Sequence, residues 1–304
     1  MSSQDRFKVD RFKIDDAGSY DSFAEEFDQF DEIRQPVLRD LFASADLSGC
    51  GRLLDIGTGT GIVAIEAARR LGPKATIAGI DLSDGLLQSA RRKAAGIWFL
   101  KMDAEALGIA TDSFDAILSL FALLHFPDPK RALDEMFRVL RPGASATIAL
   151  GSAPPRLSWA GLRHRIARSP DLLRLARGRL LLAPWFLDRL LREMYPSDSH
   201  GEETELARHS HVRGPQVLSL MRAAGFSGVT SRWKGYEHSF DDPERFWLVQ
   251  RVYSSFSRKR LSALSESDRE RVKSVFLERC RRVLAGGGRL VYPYAALFVN
   301  GRKR

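Results

Sequence analysis

Leu53-Leu54-Asp55-Ile56-Gly57-Thr58-Gly59-Thr60-Gly61 is the stretch from which the rest of the chain can be placed. Leu53, Leu54 and Ile56 form a short apolar run that stops at three glycines, and Ile62, Val63, Ile65 and Ala68 then recur at helical spacing. That pattern is the end of a buried strand, a glycine turn and the start of a helix. Residues without side chains let the backbone pass close to a ligand, and the unpaired N–H groups of a helix start favour an electron-rich partner. Glycines at a strand-helix junction also serve as plain turn residues.

Spacing separates the ligands such a turn could hold. In the dinucleotide fingerprint the last glycine falls five positions after the first, whereas Gly61 is four after Gly57. A phosphate-binding P-loop needs Lys-Ser or Lys-Thr after its last glycine, and Ile62-Val63 stands there instead. The stretch resembles the first motif of class I S-adenosylmethionine-dependent methyltransferases, in which an acidic residue and a G-x-G-x-G turn hold the methionine end of the cofactor. The resemblance implies that role for Asp55, Gly57, Thr58, Gly59 and Gly61, and S-adenosylmethionine as the cofactor.

Three further segments follow in order. Thr76-Ile77-Ala78-Gly79-Ile80-Asp81-Leu82 is a second apolar run ending in a carboxylate, 26 positions after Asp55 and close to one βαβ step. Asp81 there can accept hydrogen bonds from both hydroxyls of an adenosine ribose, with Leu82 beside it, or cap the next helix together with Ser83 and Asp84. In Ile97 to Leu107 the resemblance places Asp103 against the adenine amino group, flanked by Met102 and Ala104; a helix cap is the plainer role. A fourth strand, Phe114 to Phe121, leads into Ala122-Leu123-Leu124-His125-Phe126-Pro127-Asp128-Pro129, similar to the D-x-F-D … H-x-x-D-P segment of the same family. By that likeness Phe121 walls the cofactor pocket and His125 lies near the methyl group. Its ordinary pKa suits a catalytic base, although a histidine packed under a lid would look the same.

The N-terminus carries a duplicated D-R-F-K-[VI] unit, Asp5 to Val9 and Asp10 to Ile14. Tyr20-Asp21-Ser22-Phe23-Ala24-Glu25-Glu26-Phe27-Asp28 resembles the Y-D-x-x-A-x-x-[YF]-D opening of many small-molecule methyltransferases, where it often folds over the cofactor. Tyr20 and Phe27 then close the site; an amphipathic helix packed on the body fits the periodicity equally well. A helix is predicted from Ile33 to Ala45, another from Pro129 to Leu140, a fifth strand from Ala144 to Leu150, and last strands from Val229 to Tyr236 and Arg289 to Asn300. The tail Gly301-Arg302-Lys303-Arg304 reads as solvated.

The resemblance covers residues 20 to 150 and, less closely, the final strands, and is to the ubiquinone/menaquinone-biosynthesis type. It implies an α/β, Rossmann-like, doubly wound and mostly parallel seven-stranded sheet with a final antiparallel hairpin and a helical lid insert. The expected organisation is an N-terminal helical segment over the cofactor site (1–45), a cofactor-binding core (46–151), a basic helical lid (152–211), and the remaining core (212–304) with a second helical insert (243–284). In the lid, arginines such as Arg163 and Arg165 stand among Trp159, Trp185, Phe186 and Tyr195, which would line its inner side.

Composition sets the outer bounds. With 304 residues and 44% hydrophobic content the chain can bury one large core, or one core plus a cap. Its formal net charge of +9 could attract nucleic acid, an anionic membrane surface or an acidic substrate, and arginine-rich proteomes also yield basic proteins without such a partner. No apolar run approaches a membrane span and the start lacks a secretory signal, so the cytoplasm is the expected location. Cys50 and Cys280 read as buried thiols, and His200, His209 and His211 lack the carboxylate or thiol spacing of a metal site. Taken together, the sequence predicts methyl transfer to O, N or C of a small, lipophilic molecule that could be anionic or met at a membrane surface. Nucleic-acid methylation is the alternative, but Ser119-Leu120-Phe121-Ala122 stands where base methylation would need N-P-P-Y, and neither cysteine is placed for ring-carbon attack. A non-catalytic partner or regulator that binds the same cofactor is the other alternative.

Overall fold

A computed structural model describes residues 13–14, 17–18, 20–21, 23–151, 174, 178–183, 185–196 and 214–304. The chain divides into two compact units, Met1–Ser152 with Thr204–Lys234 and Ala296–Arg304, and Ala153–Glu203 with Gly235–Ala295.

The first unit is a sheet of β1 (Arg52–Ile56), β2 (Thr76–Asp81), β3 (Trp98–Lys101), β4 (Phe114–Leu120), β5 (Leu140–Gly151) and the end of β8 (Arg289–Arg302). The order is β3-β2-β1-β4-β5-β8, the first five parallel and β8 antiparallel to β5. Leu53, Leu54, Ile56, Ile117 and Ile148 are fully buried, the continuous apolar reading of strands covered on both faces. Between the strands run α3 (Ile62–Leu71), α4 (Asp84–Lys93) and α5 (Pro129–Val139); before β1 come α1 (Ala24–Asp28) and α2 (Asp31–Ser44), and α7 (Gly214–Ala223) buries Val217 and Met221. The sequence marks the helix starts: the Ser83 hydroxyl accepts from Leu86 N–H, and Asp128 accepts from Arg131 N–H with Pro129 in the first turn. Because β1 to β4 are parallel, the loops after them emerge at one edge, where ligands bind in open α/β sheets.

Several boundaries differ from the sequence reading. β5 begins at Leu140, paired with Phe114, and passes through Pro142-Gly143 after a shift in register. β7 runs from Ser227 to Phe240 and pairs with β8. The tail is not solvated throughout: Lys303 is 9% exposed, its ammonium 2.7 Å from Asp112 Oδ1 and 5.0 Å from the Phe137 ring centroid.

In the second unit β6 (Leu180–Leu182), an eighth strand inside the stretch read as helical, pairs in parallel with Arg289–Val291 of β8. Around it the unit holds α6 (Trp185–Met194), α8 (Pro243–Tyr253), α9 (Ser255–Ser262) and α10 (Glu266–Ala285). The two insertions, separate in sequence, therefore share one unit. Phe246, Phe276 and Leu187 are fully buried in it, and the Phe276 ring meets Phe186, Trp247 and Phe246 at 4.8, 5.1 and 5.8 Å between centroids. Buried Gln250 accepts from Leu187 N–H at 3.1 Å and donates to the Phe246 carbonyl at 3.0 Å. Trp185, read as a lining residue, is 57% exposed, and the Tyr195 hydroxyl donates to Asp268. Trp159, Arg163, Arg165 and the three histidines of residues 200–211 lie outside the described residues. No described helix is long and apolar enough to cross a membrane.

Candidate functional site

Each glycine of the first turn has a left-handed φ, +68° at Gly57, +54° at Gly59 and +85° at Gly61, but the three do different work. A Cβ on Gly57 would lie 2.1 Å from the Ala122 Cβ, so this glycine lets the turn press against the loop after β4. A Cβ on Gly61 would meet the Phe99 ring at 3.0 Å and Ala90 at 3.1 Å, so Gly61 is a packing position. A Cβ on Gly59 would meet nothing within 4 Å; its side of the backbone faces open space. Thr58 N–H donates to the Ile80 carbonyl and Met102 N–H to the Asp81 carbonyl, which binds the first three loops into one rim.

Asp55 is fully buried at the base of that rim. Its Oδ2 accepts from the Thr58 hydroxyl at 2.6 Å, while Oδ1 has no hydrogen-bond partner. Burial pushes its carboxyl up to about 7 and the Asp81 charge adds to this, against the Thr58 bond and the Ala64 N–H. Asp81 ends β2, where Oδ2 accepts from Gly59 N–H at 2.8 Å and Oδ1 from Ser83 N–H at 3.0 Å. Burial raises its pKa too, opposed by those N–H groups and by His125. Leu82 and Met102 sit half-buried on either side, and Ala104 is buried.

Asp103 in the third loop accepts from Glu105 N–H through Oδ1 at 2.9 Å and from the Lys13 ammonium through Oδ2 at 2.8 Å. In the fourth, Phe121 adopts φ +60°, unusual for a side chain of that bulk, and such a backbone stores about 1–3 kcal/mol. Its N–H donates to the Ala149 carbonyl. His125, exposed on a 3-10 turn (Leu123–His125), meets the Tyr20 ring edge-on at 5.7 Å, and Tyr20 meets Phe27 in the same way at 6.1 Å.

The residues read as cofactor-binding, with His125, thus gather at one edge of the first unit, whereas Trp185, Phe186 and Tyr195, read as lining the lid, belong to the second. Those missed are Lys13, Asp21, Arg34 and Glu105, all of which hold loops through contacts between elements far apart in the chain. Lys13 did stand in the repeated unit and Asp21 in the Y-D motif, but neither pattern tells which carboxylate or amide will face it. Cys280 is buried as read, but Cys50 is only half-buried; burial lifts the Cys280 thiol to about 12, and burial with the Asp115 charge lifts Cys50 to about 11.

The methionine end of S-adenosylmethionine carries an ammonium, which a buried carboxylate oxygen without a donor would accept. The open side of Gly59 gives a backbone approach, and each Asp81 oxygen keeps a second lone pair for a ribose hydroxyl. The residues present fit the cofactor.

The methyltransferase domain family matches residues 54–148. The methyltransferase GfsG of Streptomyces halstedii is 34% identical over 238 residues, 73% of this chain and 81% of that protein. The nocamycin O-methyltransferase of Saccharothrix syringae is 27% identical over 293 residues, 95% of this chain and 96% of the other. Ubiquinone/menaquinone-biosynthesis C-methyltransferases and demethylmenaquinone methyltransferases match at 36–39% identity, but the chain spans only about half the length of these curated relatives, 42–53%. A crystal structure of a Bacillus halodurans C-125 protein assigned to the methyltransferases shares the fold, with TM-score 0.51 and 18% identity over 88% of this chain and 98% of that one. The chain belongs to the class I S-adenosylmethionine-dependent methyltransferase family.

Proposed function

We propose that the chain transfers a methyl group from S-adenosylmethionine to a small, lipophilic acceptor, with an oxygen atom as the nucleophile. The observation that carries the reading is the buried Asp55 oxygen without a donor, beside a glycine that opens onto empty space and a second carboxylate at the next strand end. The bound cofactor supplies a methyl group on a sulfonium, whose departure as a neutral thioether needs no acid. Asp55 and the Gly57–Gly61 backbone hold the methionine end, Asp81 the ribose, and Asp103 with Met102 and Ala104 the adenine. Phe121 and Tyr20 exclude water, and orientation with exclusion of water supplies most of the acceleration.

In this reading His125, on the 3-10 turn after β4, takes the proton that a hydroxyl acceptor gives up as its oxygen bonds to the methyl carbon. End-to-end likeness to nocamycin O-methyltransferase, covering the second unit as well as the core, favours oxygen over the carbon acceptors of the quinone-pathway relatives, whose likeness is confined to part of the chain. Methyl transfer from labelled cofactor to a panel of phenols, enols and quinols tests this. O-methylated product, with kcat down about 100-fold in His125→Asn, is the expected result. Turnover only on carbon, or none on any acceptor with the cofactor bound, would overturn it.

A further inference from the structure

The loops after β1, β2, β3 and β4 are each met by a side chain from the segment before β1. Arg34 donates to the Thr60 hydroxyl at 3.4 Å in the first loop. Asp21 accepts from the Ser83 hydroxyl at 2.5 Å and Gly85 N–H at 2.9 Å after β2, and its backbone lies so near that a Cβ on Gly85 would come within 2.8 Å of it. Tyr20 meets His125 after β4. After β3 the Lys13 ammonium lies 2.8 Å from Asp103 Oδ2 and 2.6 Å from Glu105 Oε2, while Glu105 Oε1 accepts from Asp128 N–H at 2.8 Å.

Of these anchors, Lys13 alone engages the carboxylate assigned to the adenine. It is 9% exposed and Glu105 2%, whereas the neighbouring Ile14 is 70% exposed, so the turn points its lysine inward and its isoleucine to water. Burial works to lower the lysine's pKa, but the bonds and charges of Asp103 and Glu105 prevail and hold it above the ordinary value. One cation thus serves two carboxylates, Glu105 buried and Asp103 half-buried, and removing it leaves the buried one without its charge partner, which is costly. Asp103 still has a lone pair free on each oxygen, so an adenine amino group can join without displacing the lysine.

We infer that Lys13 is a positioning residue, a latch that fastens the N-terminal strap over the adenosine half of the cofactor site and sets how fast an adenosyl ligand leaves. The inference rests on the cofactor reading above. Its test is the dissociation rate of S-adenosylhomocysteine, followed by stopped flow on the full chain. In Lys13→Met the rate should rise at least tenfold with association little changed. Lys13→Arg should return it to within about threefold, Glu105→Gln should fall between, and Lys8→Met, altering the matching lysine of the first repeat copy, should behave as the unmutated chain. If Lys13→Met does not fold, the Glu105→Gln rate decides in its place.

An unchanged rate in these variants, with the unmutated chain binding, overturns the latch and leaves the cofactor reading standing. Slower release in Lys13→Met also overturns it, since the lysine would then be a plug that the adenine must displace. No binding by the unmutated chain overturns the cofactor reading and the latch together.

Discussion

Two aspartates, Asp55 fully buried in the first unit and Asp188 half-buried in the second, show where the molecule keeps binding capacity in reserve. Asp188 on α6 accepts from the hydroxyls of Ser254 and Ser257, with Arg192 and Arg260 near enough to offset part of its desolvation. Asp55 on β1 has one hydroxyl on one oxygen, no hydrogen-bond partner on the other, the Ala64 N–H near enough to offset part of its desolvation, and a second carboxylate nearby. A buried polar atom without a partner costs about 1–3 kcal/mol, so a fold that tolerates one beside an open glycine is arranged for something that comes from outside. The second unit satisfies Asp188 and Gln250 from within; the first leaves an oxygen for a ligand.

The largest expected effect tests whether that division is real. Phe276→Ala removes a fully buried ring from the aromatic cluster of the second unit and should destabilise it by about 3–5 kcal/mol in urea unfolding. S-adenosylhomocysteine affinity measured by calorimetry on the folded variant should stay within about twofold. A parallel loss of affinity would mean that the binding capacity is not confined to the first unit.

Next comes pH. The Asp55 carboxyl is raised to about 7 in the fold, so between about pH 4 and pH 7 the folded chain keeps a proton that the unfolded chain has shed. Its contribution to stability is complete below about pH 4 and is lost as the pH rises through 7, a fall of up to about 4 kcal/mol. Asp55→Asn should flatten most of that slope in unfolding midpoints taken across the range, and Asp188→Asn, which removes a second carboxyl that burial raises, should flatten it less. Ligand binding should run the other way, strengthening from pH 5 to 7 as Asp55 ionises to receive an ammonium. An affinity that does not depend on pH would remove Asp55 from the ligand's surroundings.

Much of the first unit was legible because its signals are local. Three glycines after an apolar run, a carboxylate at the end of β2 and another just past β3, and Pro129 behind Asp128 are all read within a few residues of themselves. What escaped depends on residues brought together from a distance. β6 has only Leu180 to Leu182 to announce it and becomes a strand because Arg289 to Val291 lie alongside. Lys303 is charged and last but one, which reads as solvent until Asp112 and Phe137 are seen around it. Asp103 and Glu105 invite a helix cap in sequence; only the arrival of Lys13, 90 residues away, makes them an ion cluster. The differing work of Gly57, Gly59 and Gly61 was hidden for the same reason, since what each faces is set by α4, β3 and the loop after β4.

A smaller effect is expected at Asp81. Alanine there removes the acceptor for two backbone N–H groups and, on the proposed reading, for two ribose hydroxyls. Charge-assisted bonds are worth about 1.5–3 kcal/mol each, so affinity for S-adenosylhomocysteine should fall about 100-fold. Asp81→Asn, which keeps one oxygen, should lose less. Unaltered binding in both variants would place the adenosine elsewhere.

The finest distinction lies between two glycines that strain alike and face differently. Gly59 and Gly96 have left-handed φ values of +54° and +85°, and a Cβ on either would meet no protein atom within 4 Å. Alanine at each should therefore destabilise the fold by a similar amount, about 1 kcal/mol, from backbone strain alone. Gly59 donates its N–H to Asp81 and follows the Thr58 that bonds Asp55, so on the proposed reading its new methyl enters the cofactor's space, whereas that at Gly96 sits in the turn before β3. Gly59→Ala should weaken S-adenosylhomocysteine binding about tenfold, by more than its loss of stability accounts for, and Gly96→Ala should leave binding alone. Equal affinities in the two variants would mean that the open side of Gly59 faces only water, and the case for a ligand there would then rest on the aspartates.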